Sequence, residues 1–158
     1  MGRLSYLLLS GLLVVLDRLL KAWAANTLVL GESRHFLGDV LRLTRAHNVG
    51  GAFGIFPGSG GLFLGVSSLV SVALILVFLF VRIRGTLLKT GLALVLAGAV
   101  GNLIDRLQFG YVLDFLEVRG FSILNLADAC ITVGVAVILM YSLFGGERHR
   151  ASRAPDRL

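Results

Sequence analysis

Residues 98–128, GAVGNLIDRLQFGYVLDFLEVRGFSILNLAD, decide how the chain is read. They put three carboxylates, Asp105, Asp114 and Asp128, into or beside segments apolar enough to sit in a bilayer. An aspartate at the centre of a spanning helix is unfavourable by roughly 3 kcal/mol on insertion scales, so such residues are spared mainly where they face a partner or a wet cavity. Tyr111-Val112-Leu113-Asp114-Phe115 alternates like a short strand, whereas Asn125-Leu126-Ala127-Asp128 heads the last apolar run. Two carboxylates from separate elements therefore have a route to a common site.

The chain around this stretch has 158 residues, 56% of them hydrophobic, and a mean hydropathy of +0.88. That is too apolar for a soluble domain and long enough for a few membrane spans. The expected architecture is an all-α membrane protein: four transmembrane helices over about residues 4–25, 62–81, 87–107 and 123–144, with a small extracytoplasmic β-sheet and loop region. Residues 1–145 form one domain on this reading, and 146–158 a basic cytoplasmic tail expected to be disordered. The net charge of +6 does not call for nucleic acid, because the basic residues crowd next to apolar runs and form no stripe with aromatic platforms. The single cysteine, Cys130, lies in an apolar run and reads as a packing residue.

The first apolar run is long, contains charges and lacks a small-x-small cleavage signature before Asn26, which favours a retained helix over a signal peptide. Asp17 and Lys21 in it are spaced i, i+4 and share a helix face, either as a structural ion pair or as a support for the site. The connection over 26–61 is long for so small a membrane protein. Its stretch around residues 36–45 alternates partly like strands. Asn48-Val49-Gly50-Gly51-Ala52-Phe53-Gly54-Ile55-Phe56 then supplies glycines that permit close backbone approach, with Phe53 and Phe56 as an apolar surface for the membrane interface. In the third span Gly91, Ala97, Gly98 and Gly101 offer small faces for close helix approach. At its end Asp105 and Arg106 read either as interfacial anchors or as part of the site, and Asn102, a turn deeper, as a helix-to-helix hydrogen bond or a site residue.

Orientation follows from the basic residues. Arg3, Arg82, Arg84, Lys89, Arg148, Arg150, Arg153 and Arg157 fall on one side, against Arg34, Arg42, Arg45 and Arg119 on the other. Both termini are expected in the cytoplasm and the aspartates near the outer face. The histidines, His35, His47 and His149, have no ligand-like spacing, and no serine in the spans has a base nearby. No metal and no cofactor is called for. What remains is a carboxylate pair able to share a proton, one member activating water while the other polarises a peptide carbonyl. Proton relays and ion sites use the same residues, so a small proton- or ion-coupled carrier and a noncatalytic assembly subunit stay open at this point.

Five motifs then add a resemblance. Asp17-Arg18-Leu19-Leu20-Lys21, Asn48-Val49-Gly50-Gly51-Ala52-Phe53-Gly54, Gly101-Asn102-Leu103-Ile104-Asp105-Arg106, Val112-Leu113-Asp114-Phe115 and Asn125-Leu126-Ala127-Asp128 occur in the order and spacing seen in lipoprotein signal peptidases, also called signal peptidase II. The resemblance covers about residues 4–144. It implies a four-helix aspartic endopeptidase of the bacterial inner membrane that removes the signal peptide of a diacylglyceryl-modified prolipoprotein just before the lipidated cysteine. By the same resemblance Asp114 and Asp128 are the catalytic dyad. Asp17, Lys21, Asn48, Asn102, Asp105, Arg106 and Asn125 are supporting residues, and Gly50 is a glycine near the substrate. The implied partners are the prolipoprotein and membrane lipids, and a monomer is expected. Departures from the family's pattern, Arg18 for a glutamine, Gly51 for an alanine, Leu124 for a phenylalanine and Ala97 in a paired glycine, leave the dyad untouched.

Overall fold

A computed structural model of the chain describes residues 2–50 and 60–151. The elements run α1 (Arg3–Thr27), β1 (Ser33–Leu37), β2 (Leu41–Asn48), α2 (Gly60–Phe80), α3 (Thr86–Phe109), β3 (Val112–Val118), β4 (Ser122–Leu124) and α4 (Leu126–Ala151). Three segments, Gly60–Phe80, Thr86–Phe109 and Leu126–Phe144, are long and apolar enough to cross a membrane. α1 is 25 residues long but carries Asp17, Arg18 and Lys21 in its second half. The glycine-rich stretch with Phe53 and Phe56 lies outside the described residues.

Polarity is arranged the reverse of that in a water-soluble bundle. Leu8 (64%), Leu12 (66%), Leu69 (71%) and Leu139 (56%) are exposed, while Asp17, Lys21 and Asp105 are almost wholly buried. In water this arrangement would leave apolar area unburied on every helix and desolvate charges inside. In hydrocarbon it is the expected one.

α3 is the central helix. Its small residues let α4 approach until backbones touch: a Cβ added at Gly98 would lie 2.3 Å from the Ala127 carbonyl oxygen, and one at Gly134 would lie 2.7 Å from that of Gly91. The small faces expected at Gly91, Gly98 and Gly101 are thus buried in this contact. Near the other end of the bundle, Tyr6, Phe78, Ala93 and Leu96 form an apolar core from α1, α2 and α3. Within it Tyr6 and Phe78 stack at 6.4 Å. Ser10, also buried there, donates to the Ala93 carbonyl at 2.9 Å.

The four strands make one antiparallel sheet in the order β1-β2-β3-β4. Ala46 stands opposite Asp114, and Asn48 opposite Val112. A second apolar cluster, Ala24, Leu28, Leu113 and Phe115, seats β3 on the end of α1. α3 stops at Gly110, whose φ of 76° is the left-handed conformation that closes a helix C-terminus, and the chain turns directly into β3.

Three boundaries differ from the sequence reading. The last helix starts at Leu126 rather than 123, because Ile123 and Leu124 pair with Glu117 and Leu116 in β4. Asn48 ends a strand instead of opening a loop, because β2 continues alongside β3. The tail expected to be disordered from 146 is helical as far as Ala151, in a stretch whose Glu147, Arg148 and Arg150 are favourable helix formers with proline first at 155; residues 152–158 lie outside the described residues.

Candidate active site

Asp128 is held by the start of its own helix. Asn125 precedes α4, and its Oδ1 accepts the Asp128 backbone N–H at 2.9 Å, while Asp128 Oδ2 accepts the Asn125 backbone N–H at 3.3 Å. This is the reciprocal capping arrangement of helix N-termini, built from an amide and a carboxylate three residues apart. A further unpaired donor of that first turn, the Ala127 N–H, is taken by Asp17 Oδ1 from α1 at 3.0 Å.

Three asparagine amides then converge on the two carboxylates, and each has its orientation dictated. Asn125 Oδ1 is occupied by an N–H, so its Nδ2 faces Asp114 and donates to Oδ1 at 2.6 Å. Asn48 Oδ1 accepts the Gly50 N–H at 3.0 Å, which turns its Nδ2 to Asp114 Oδ2, also at 3.0 Å. Asn102 Oδ1 lies 3.1 Å from Lys21 Nζ, a group that only donates, so Asn102 Nδ2 points to Asp128 Oδ1 at 2.8 Å. Asn125 thus touches both carboxylates, one through its side chain and the other through its backbone.

Behind the asparagines lies a buried charge cluster. Lys21 Nζ donates to Asn102 Oδ1 and forms ion pairs with Asp17 Oδ2 and Asp105 Oδ2, each at 2.9 Å. Asp105 also pairs with Arg18 and accepts the Leu113 N–H at 3.1 Å, which fixes β3 against α3 one residue before Asp114. Two cations thus face two carboxylates, and the cluster is neutral. Asp105 is not the interfacial anchor that its position near a helix end suggested, because a residue with 0% exposure and two cationic partners is part of the interior. Gly101 is required here by space, since a Cβ would meet Asp17 Oδ2 at 2.9 Å.

Arg106 touches this network through the Asn102 backbone carbonyl, 3.5 Å from its Nη1. Its Nη1 reaches Ser67 Oγ on α2 at 3.3 Å, and its guanidinium lies over the Phe63 ring at 5.6 Å. With Val49, Gly60, Gly61, Leu64 and Gly110 it lines a cavity of about 360 Å³ on the α2 side. The sequence reading missed Arg18 as a partner of Asp105, since nothing local links positions 87 residues apart. It also missed the stacking of His47 on Tyr111, with ring centroids 3.8 Å apart. Strand pairing sets that contact, so a register for β2 on β3 was the signal needed.

The proton balance at Asp114 is shifted. Only 2% of its surface is exposed. That burial, with the Asp128 charge adding to it, pushes its pKa up to about 7 against the opposing hydrogen bonds from Asn48 and Asn125 and the charge of Lys21. A carboxyl group so placed is about half protonated at neutrality, which lets it serve as an acid beside a second carboxylate.

Comparison with known proteins bears on this geometry. Residues 9–144 match the family model described as signal peptidase (SPase) II. The chain belongs to the signal peptidase II family. It is 38% identical over 148 residues to the lipoprotein signal peptidase of Moorella thermoacetica, covering 93% of this chain and 99% of that protein. To the lipoprotein signal peptidase of Desulforapulum autotrophicum it is 43% identical over 148 residues, covering 87% and 90% respectively. Two bacterial membrane enzymes solved by the in meso method are similar throughout. One, at 2.3 Å resolution, gives a TM-score of 0.83 at 27% identity over 98% of this chain and 94% of that one. The other, at 1.9 Å, gives 0.79 at 30% identity over 89% and 93%. Membership of a signal peptidase II family makes the chain a membrane peptidase, and the carrier and assembly-subunit readings are set aside.

Proposed function

We propose that this protein removes the signal peptide from diacylglyceryl-modified prolipoproteins, cutting just before the lipidated cysteine, with Asp114 and Asp128 as an aspartic dyad. The observation that carries the reading is Asn125, which binds both carboxylates and thereby sets their separation and orientation. Asp114 carries the shared proton and polarises the scissile carbonyl. Asp128, half-buried and held by Asn102, draws a proton from the attacking water. Asn48, Asn102 and Asn125 position the two, while Asp17, Lys21 and Asp105 anchor the asparagines and β3. Arg106 and the cavity around it belong to the path of the substrate, beside Val49 and Gly50.

α1 is the fourth span on this reading. Its exposed face is Leu4, Leu8, Leu12, Val15 and Leu19, and its charges Asp17 and Lys21 point inward, so the helix presents hydrocarbon to lipid despite its composition. The termini lie in the cytoplasm and the sheet outside, as the basic residues favour. A cysteine at Asp39 in the β1–β2 hairpin should react with an impermeant maleimide in intact cells, and one at Arg82 should react after lysis alone. The opposite pattern would invert the orientation.

A scissile bond is brought to the dyad by the lipid attached beside it. Each buried methylene contributes about 0.8 kcal/mol to membrane attachment, so two acyl chains hold the cysteine at headgroup depth, and positioning of this kind outweighs side-chain pockets. Cleavage of modified and unmodified precursor, at equal concentration in the same micelles, is the experiment. The modified precursor should be cut at least tenfold faster, roughly the difference that 1.4 kcal/mol of positioning makes. Equal rates would refute the anchoring step while leaving the dyad untouched.

A further inference from the structure

The charge cluster has a second face, turned away from Asp114 and Asp128. There α1, β2, the end of α3 and the start of β3 enclose a cavity of about 330 Å³ whose wall includes Arg18, Lys21, Arg45, Asp105, Phe109 and Tyr111. Three cations meet two carboxylates around it, because Asp17 and Asp105 pair with Lys21 and Arg18 while Arg45 has no carboxylate in ion-pair reach among the described residues. Arg45 Nη1 donates to the Ala25 carbonyl at 2.8 Å, and its buried Nε lacks a hydrogen-bond partner. That Nε is sealed from the cavity, so an oxyanion meets Arg45 at its terminal nitrogens, the part of a guanidinium that suits it.

The setting narrows the anion. Phe109 and Tyr111 stack at 5.8 Å on one wall, the Arg18 guanidinium lies 6.0 Å from the Phe109 ring centre, and Trp23 on the same end of α1 is 42% exposed. Aromatic rings gathered at the end of membrane helices mark headgroup depth. One and two turns towards the start of α1, on the stripe that carries Arg18 and Ala22, Val15 and Gly11 are exposed. That stripe gives an acyl chain an apolar path leading away from the cavity.

We propose that this cavity binds the phosphate diester of an anionic phospholipid, with Arg45 and the outward edge of Arg18 as its ligands and an acyl chain along Val15. A thioether-linked diacylglyceryl group carries no phosphate, so this lipid is not the one on the proposed substrate, and the site does not rest on the peptidase reading. Bound there, it ties β2 to α1 three residues from Asn48.

The test is native mass spectrometry of the full chain, purified in a neutral detergent, with phosphatidylglycerol and phosphatidylcholine of identical acyl chains. The wild type should retain phosphatidylglycerol preferentially, and Arg45→Gln should lose about tenfold of that preference, the size expected for one charge-assisted contact. If Arg45→Gln does not fold, Arg45→Lys, which keeps the charge and loses the fork, should lose several-fold. Equal retention of phosphatidylglycerol by wild type and variant would overturn the site. Displacement of the lipid by inorganic phosphate at equal concentration would overturn the phospholipid assignment in favour of a free anion.

Discussion

Asp128→Asn abolishes turnover, by on the order of 10³-fold or more, and leaves the protein folded. Asp114→Asn does the same. Each substitution is nearly isosteric but keeps one acceptor oxygen only, so one of the two donors on each carboxylate, Asn125 or Asn48 at Asp114 and Asn102 or the Asn125 N–H at Asp128, loses its acceptor. What is lost is the shared proton, because neither an amide and a carboxylate nor two neutral groups can both activate water and protonate a leaving amine. Asp114→Asn should cost about 1–3 kcal/mol for the donor left unpaired and still fold. The folded value of that group lies above its unfolded one, so the stability it gives is full at low pH and is lost as pH rises through about 7; a permanently neutral amide is spared that loss. Initial rates on a lipid-modified precursor, with thermal unfolding in the same detergent, check both halves. More than a few per cent of wild-type rate in either variant would remove the dyad assignment.

Lys21→Met carries the largest expected effect on stability. The side chain removed is 2% exposed and meets three oxygens, and its loss leaves Asp17 buried without a cation while Asp105 retains Arg18. Removing one partner of a buried pair typically costs 3–5 kcal/mol, which for a chain of this size lowers the unfolding midpoint by roughly 10 °C or more. Activity falls as well, because Asn102 Oδ1 keeps the Asn125 Nδ2 contact at 3.2 Å but loses the Lys21 donor that helps fix its amide towards Asp128. The double variant Asp17→Asn/Lys21→Met should recover part of the lost stability, since the stranded charge goes with it. A single variant within about 0.5 kcal/mol of wild type, the range of an ordinary surface change, would mean that the cluster is not what holds α1 to α3 and α4.

These effects differ in how far the sequence alone announces them. The Asp17–Lys21 pair is legible because a helix repeats locally: positions i and i+4 must share a face. The strand character around Asp114 is legible for the same reason, from its alternation. The carboxylate pair is different. The sequence brings Asp114 and Asp128 forward as a pair from separate elements, and the resemblance in five motifs assigns them as the dyad and Asp105 as a support. Asp105 reads either as an interfacial residue or as part of the site, because composition says where a helix ends in the membrane, not which way its side chain faces. Burial against Lys21 and Arg18 is a property of how α1 crosses α3, which no local window contains. β4 was absorbed into the fourth span because Ile123 and Leu124 are as apolar as a helix needs, and pairing with β3 decided otherwise. Asn125 marks the true start, since its amide caps the helix.

In the proposed mechanism Asp114 and Asp128 act as one proton-sharing pair, with the proton on Asp114 below about pH 7. The dependence of kcat/KM on pH, measured on a lipid-modified precursor across the range in which the protein stays folded, tests it most directly. Asp114 loses its proton as pH rises through about 7, and the doubly ionised pair has no acid, so the rate should fall on the basic side with an apparent pKa near 7 that belongs to the pair. On the acid side it should fall again as the second carboxylate is protonated. A rate that stays level or climbs from pH 7 to pH 9 would contradict the shared proton.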